Sequence, residues 1–197
     1  REICQLTNKN YNKFVPALIS DLRKASDPYS AFAELLCSGN TSTTIFPDDA
    51  MLFDSCIGNR IYGAIPSKRL VYILKKLENS LRDKFDEIRV VGDNLTIEHI
   101  MPVKWSKNWL LPNGEKVISE RIGFDNLDEF SKDTRNLVRK RNELLHSLGN
   151  LTVLTNSGNP SVGNKGWGDK KAFLSQSLTA LNRNLSDNEE WGEEQIL

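Results

Sequence analysis

The chain has 197 residues, 39% of them hydrophobic, with 26 basic and 26 acidic side chains and a formal net charge of zero. That length and apolar content suffice for one compact unit around a sizeable core. The charge balance excludes a global polycation, so any nucleic-acid contact has to come from local patches, and every apolar run falls far short of the roughly 20 residues that a membrane-spanning helix needs.

The elements follow in order from the N-terminus. Between Asn10 and Arg23 the residues Tyr11, Phe14, Val15, Leu18, Ile19 and Leu22 recur at steps of three and four, the stripe of a helix. A second helix is predicted over Pro28 to Cys37. A third starts near Pro47, with Met51, Leu52 and Ile57 as its apolar face and Gly58 as its stop. Ser67 caps a longer helix through Phe85 that carries Leu70, Ile73, Leu74, Leu77 and Leu81. From Ile88 to Ile100 β-branched residues and the turn signal Gly92-Asp93-Asn94 predict an extended segment ending in a strand.

Trp105 to Asp125 is rich in turn residues and reads as a loop. A helix returns over Leu127 to His146, ended by Gly149 and Asn150 through a left-handed cap, and a strand, Leu151 to Thr155, follows. A polar turn with Gly158, Pro160 and Gly163 leads into one final helix from Gly168 to Asn184. The order strand, long insertion, strand, loop, helix predicts an α+β fold, mostly helical. Residues 1–87 read as a helical N-terminal subdomain, 88–185 as the core with a helical insertion over about 104–147, and 186–197 as a C-terminal segment.

Cys4, Cys37 and Cys56 are widely separated and form no C-x-x-C pair, which argues against structural zinc and suits a reducing cytoplasm. The opening Arg1 and the unfinished helix after Trp191 read as the ends of a piece of a longer protein.

Two segments carry the chemistry. Thr96 to Pro102 reads TIEHIMP, and His146 to Asn164 reads HSLGNLTVLTNSGNPSVGN. The only two histidines of the chain, His99 and His146, lie in them. An imidazole is the commonest general base near neutral pH, and Glu98 beside it is an oxygen ligand suited to a hard divalent cation. Asn156, Asn159 and Asn164 add neutral oxygens. Taken alone, each has a plainer reading: a histidine between Ile97 and Ile100 as a packing residue, Asn150 and Asn156 as turn formers, and the ridge Arg135, Arg139, Lys140 and Arg141 as a solvated helix face.

Glu98-His99-Ile100-x-Pro102, Gly149-Asn150-Leu151-Thr152, Asn159, Asn164 and Lys170 together resemble the C-terminal nuclease domain of GmrSD-type, modification-dependent restriction enzymes. The resemblance implies a ββα-metal core of the His-Me finger (HNH) class, and a metal-dependent DNA endonuclease or nickase of prokaryotic anti-phage defence. It implies His99 as the base that activates water, Glu98 and Asn159 as ligands of Mg2+ or Mn2+, and Asn150 as the residue tying the second strand to the loop of the histidine. His146, Asn164, Lys165, Lys170, Arg139 and Arg141 are expected at phosphate. Modified or phage DNA and a nucleotide-dependent N-terminal sensor domain are the expected partners. A non-catalytic DNA-binding or docking module of the same fold is the alternative. Pro160 stands where the family usually has serine, and Trp167 where it commonly has phenylalanine. As strand neighbours, Glu98 and His99 should point to opposite faces unless the strand ends there.

Overall fold

The computed structural model describes residues 1–82, 94–121, 130–155 and 163–197. Its residues group into two compact units, Arg1–Cys56 and Ile57–Leu197. The first holds α1 (Tyr11–Lys24), α2 (Pro28–Cys37) and most of α3 (Asp49–Gly58), none of which buries a residue fully. Asp27 starts α2 by accepting the amides of Tyr29 and Ser30, with Pro28 in the first turn, where its missing amide costs nothing.

The second unit is built on a two-stranded antiparallel sheet, β1 (Leu95–His99) and β2 (Leu151–Thr155). Glu98 stands opposite Thr152 and His99 opposite Leu151. β2 is buried along most of its length, so it reads as an apolar run rather than an alternating one. α4 (Ser67–Leu81) packs on both strands and turns Leu70, Leu74 and Glu78 inward. α5 (Lys132–Leu144) begins at Ser131, whose hydroxyl accepts the Thr134 amide. α6 (Trp167–Ser175), α7 (Ala180–Ser186) and α8 (Glu193–Ile196) complete the unit. One core cluster joins Ile100, Met101, Trp105, Trp109, Val138, Leu145 and Trp191.

The fold is thus mixed helical with a small sheet, as expected. Three expectations need correction. α5 ends at Leu144 with Leu145 still right-handed, and Gly149 lies in a 3-10 turn, Leu148–Asn150, rather than in a left-handed cap. Glycine is needed at 149 for a different reason: a Cβ there would sit 2.0 Å from the carbonyl oxygen of Ile196 in α8. The single C-terminal helix is two, α6 and α7, because Glu78 accepts the amides of Ala180 and Leu181 and starts a new helix there. The long helix from Ser67 ends at Leu81, with Arg82 extended. The expected turn at Gly92-Asp93 and the start of the helix at Leu127 lie outside the described residues.

Candidate functional site

Five residues of β1 carry the site to the end of the sheet. Strand alternation sends the side chains of Glu98 and His99 to different neighbours. Glu98 meets α6: the Lys170 ammonium donates to its Oε1 at 2.8 Å and to the His99 carbonyl at 2.7 Å. Lys170 is 1% exposed, so it is not at the surface where a phosphate contact was expected. It holds the acid and the backbone of the histidine in one grip, a charge-assisted pair largely removed from water. Burial lowers its pKa, and the hydrogen bond and charge of Glu98 raise it in opposition.

His99 faces the other way. Its Nε2 lies 3.0 Å from Nδ1 of His146, a hydrogen bond in which either ring can donate according to tautomer. Tyr62 meets His99 edge-on with ring centroids 4.5 Å apart, and stacks on His146 at 5.8 Å and 15° between planes. The strap carrying Tyr62 is fixed there because the amides of Ile61 and Tyr62 both donate to the His146 carbonyl, at 2.8 and 3.0 Å. Burial, then the charges of His146, Lys170 and Arg60, bring the His99 pKa down to about 4. His146 is lowered too, by burial and by Arg60. Both imidazoles are therefore neutral near pH 7, a state in which one can accept a proton.

That depression gives folding a pH signature in metal-free buffer. The unfolded imidazole takes a proton through 6.5, the folded one only near about 4, so across that window the unfolded state holds more protons and folding gains stability as pH rises. The contribution is complete above 6.5 and is lost as pH falls toward 4. Denaturant midpoints measured at both ends of the window should fall further in the wild type than in His99→Gln; equal losses would remove His99 as the cause.

Asn150 is fully buried and works on backbone. Its Oδ1 accepts from the Met101 amide at 2.8 Å, and its Nδ2 donates to the carbonyls of Met101 and Leu145, both at 2.9 Å. The Ile100 amide in turn donates to the Asn150 carbonyl at 2.9 Å. The loop leaving His99 is thereby tied to the residue just ahead of β2. Thr152 is tied to Asn182 of α7 through its hydroxyl, so the sheet is anchored from that side as well.

The expected phosphate contacts separate into two kinds. Arg139, Asn164 and Lys165 are at the surface. Asn164 and Lys165 also accept through their carbonyls, from Asn108 Nδ2 at 2.7 Å and Trp109 Nε1 at 3.0 Å. Arg141, by contrast, is 3% exposed and packs in the core: Nε and Nη2 bind the two oxygens of Glu193 at 2.5 and 3.1 Å, Nη1 reaches the Leu110 carbonyl at 2.8 Å, and the guanidinium lies 4.6 Å from the Trp105 ring. It holds α8 to α5. Asn156 and Asn159 lie outside the described residues. Sequence reasoning passed over Tyr62, Arg60 and Glu193. Nothing local marks them, because their roles come from partners 37 to 86 residues away in the chain.

Residues 46–197 match the family of the C-terminal domain of GmrSD restriction endonucleases. The chain belongs to that family. The GmrSD-type domain match takes in β1, β2, α3 to α8 and both histidines, and leaves residues 1–45 outside it. No curated protein and no solved structure matches the chain. Among the described residues of this restriction-endonuclease domain, no group of three His, Cys, Asp or Glu side chains is placed to hold a metal, and no helix is long and apolar enough to cross a membrane. A cation such as Mg2+ is usually held by one or two carboxylates and completes its shell with water and substrate phosphate, so it would not require such a group. Glu98 is the carboxylate available for that, 13% exposed and shared with Lys170.

Proposed function

We propose that this GmrSD-type domain is a metal-dependent DNA endonuclease or nickase, with a ββα-metal core formed by β1, β2 and α6 and with His99 as its general base. The observation that carries the reading is the imidazole of His99 at the end of β1, adjacent in sequence to an acid and hydrogen-bonded to the imidazole of His146, with burial holding its pKa below the ordinary value. In the working tautomer His99 Nε2 donates to His146 Nδ1. His99 Nδ1 then keeps its lone pair and can take the proton of a water that attacks phosphorus.

Family membership supports restriction as the setting and DNA as the substrate. Mg2+ or Mn2+, held by Glu98 and Asn159, would supply charge stabilisation at the scissile phosphate and the leaving oxygen. Lys170 keeps Glu98 oriented and, through the His99 carbonyl, holds the strand end on which both side chains ride. Asn150 keeps the following loop in place. Arg60 beside both imidazoles, with Lys165, Asn164 and Arg139 at the surface, would meet backbone phosphate. Modified or phage DNA as target, a nucleotide-dependent sensor preceding the domain, and action in the cytoplasm complete the proposal.

Plasmid nicking by the purified chain tests it. Supercoiled DNA should relax in Mg2+ or Mn2+ and stay intact in excess EDTA, with activity restored when the ion is returned. Cleavage at an undiminished rate in EDTA would overturn the metal requirement, and retardation of plasmid without any cleavage would favour a binding module.

A further inference from the structure

We infer that the outer face of α4 is a second DNA-contacting surface, gripping the phosphate backbone of the duplex beyond the cut. The inference rests on the nuclease reading and names where the substrate runs. The chain as a whole is neutral, yet α4 carries four cations, Lys68, Arg69, Lys75 and Lys76, against a single acid. That acid, Glu78, is 1% exposed and faces inward, bound to Arg82 and to the first amides of α7. It therefore does little to balance charge on the other side of the helix.

The cations are also ordered. Lys68, Tyr72, Lys75, Lys76 and Asn79 recur at steps of four, three, one and three, which puts them on one stripe opposite the buried Leu70 and Leu74. Tyr72 is 60% exposed in the middle of that stripe, with the Lys76 ammonium 5.4 Å from its ring centre. An aromatic face kept in water among ammonium groups is the surface chemistry of nucleic-acid contact, where the cations meet phosphate and the ring meets sugar or an unpaired base.

A cleft of about 380 Å³ lies along this stripe, lined by Ser67, Lys68, Val71, Tyr72, Lys75 and Leu95. Leu95 is the first residue of β1 and His99 the last. Four residue steps at roughly 3.3 Å separate the cleft from the candidate base by about 13 Å, or about four base-pair rises of duplex at 3.4 Å each. Arg60 marks the His99 end of the strand with positive charge and α4 marks the Leu95 end. A duplex lying along β1 would meet both.

The test is the affinity of the full 197-residue chain for a short duplex across a salt series, with Lys68→Glu/Lys76→Glu and Tyr72→Ala beside the wild type and with melting curves for each. In the double variant log affinity should fall less steeply with log salt, by about 0.9 for each phosphate that the chain no longer neutralises, and affinity at low salt should fall at least about tenfold. Tyr72→Ala should weaken binding about fivefold or more with its salt slope unchanged. His99→Ala should keep wild-type affinity and slope while losing cleavage. Wild-type affinity and slope in a folded double variant would overturn the α4 surface and leave the nuclease reading standing. A wild-type chain that neither binds nor cuts DNA would overturn the nuclease reading beneath it.

Discussion

Replacing His99 with alanine is expected to slow plasmid cleavage by about two to four orders of magnitude, the usual contribution of a positioned general base. The fold should survive. The side chain makes one described hydrogen bond, to His146, and touches Tyr62 through ring packing. The tie that holds the strand end in place, from Lys170, goes to the backbone carbonyl of His99 and persists whatever the side chain. The measurement is the rate of supercoil loss in Mg2+ together with a thermal melt. A variant that melts with the wild type and cuts at the wild-type rate would sink the assignment of His99, whereas one that fails to fold would transfer the question to His99→Gln.

Replacing Arg141 with alanine should cost about 3–5 kcal/mol of stability, because Glu193 would be left as a buried charge with its cation gone. Loss of the hydrogen bond to Leu110 and of the packing over Trp105 acts in the same direction. The double replacement Arg141→Met with Glu193→Leu removes both charges together and should recover most of that loss. Equilibrium denaturation of the three proteins decides it. If Arg141→Ala instead keeps wild-type stability and flattens the salt dependence of DNA binding, the residue is a phosphate contact after all.

Both expectations concern residues that are conspicuous in the sequence, yet the sequence assigns their roles unequally. His99 and Glu98 are legible because an acid-histidine pair ahead of a proline, followed by Gly149-Asn150-Leu151-Thr152, forms a pattern that few plain strands share. The helices are legible for a similar reason. The stripe of apolar residues over Ser67 to Leu81 and the cap Asp27-Pro28 are local signals of local structure. Arg141 reads locally as one member of a basic ridge with Arg139 and Lys140. Arg139 and Lys140 stay in water, and Glu193, 52 residues further along, together with the Leu110 carbonyl and the Trp105 ring, draws Arg141 into the core.

By itself the amino-acid sequence determined the order of the elements, the alternation that parts Glu98 from His99, and the family to which residues 46–197 belong. These follow from patterns of a few residues at fixed spacing, where side-chain periodicity and turn chemistry act within one element. Tertiary structure alone decided that Lys170 grips Glu98, that Tyr62 and His146 enclose the imidazole of His99, that Glu78 splits the last helix in two, and that Gly149 yields to the carbonyl of Ile196. Each is a meeting of groups far apart in the chain, made favourable by burial. In a low-dielectric interior an acid, an ammonium or a helix end must find a partner, and which partner it finds depends on how the elements pack.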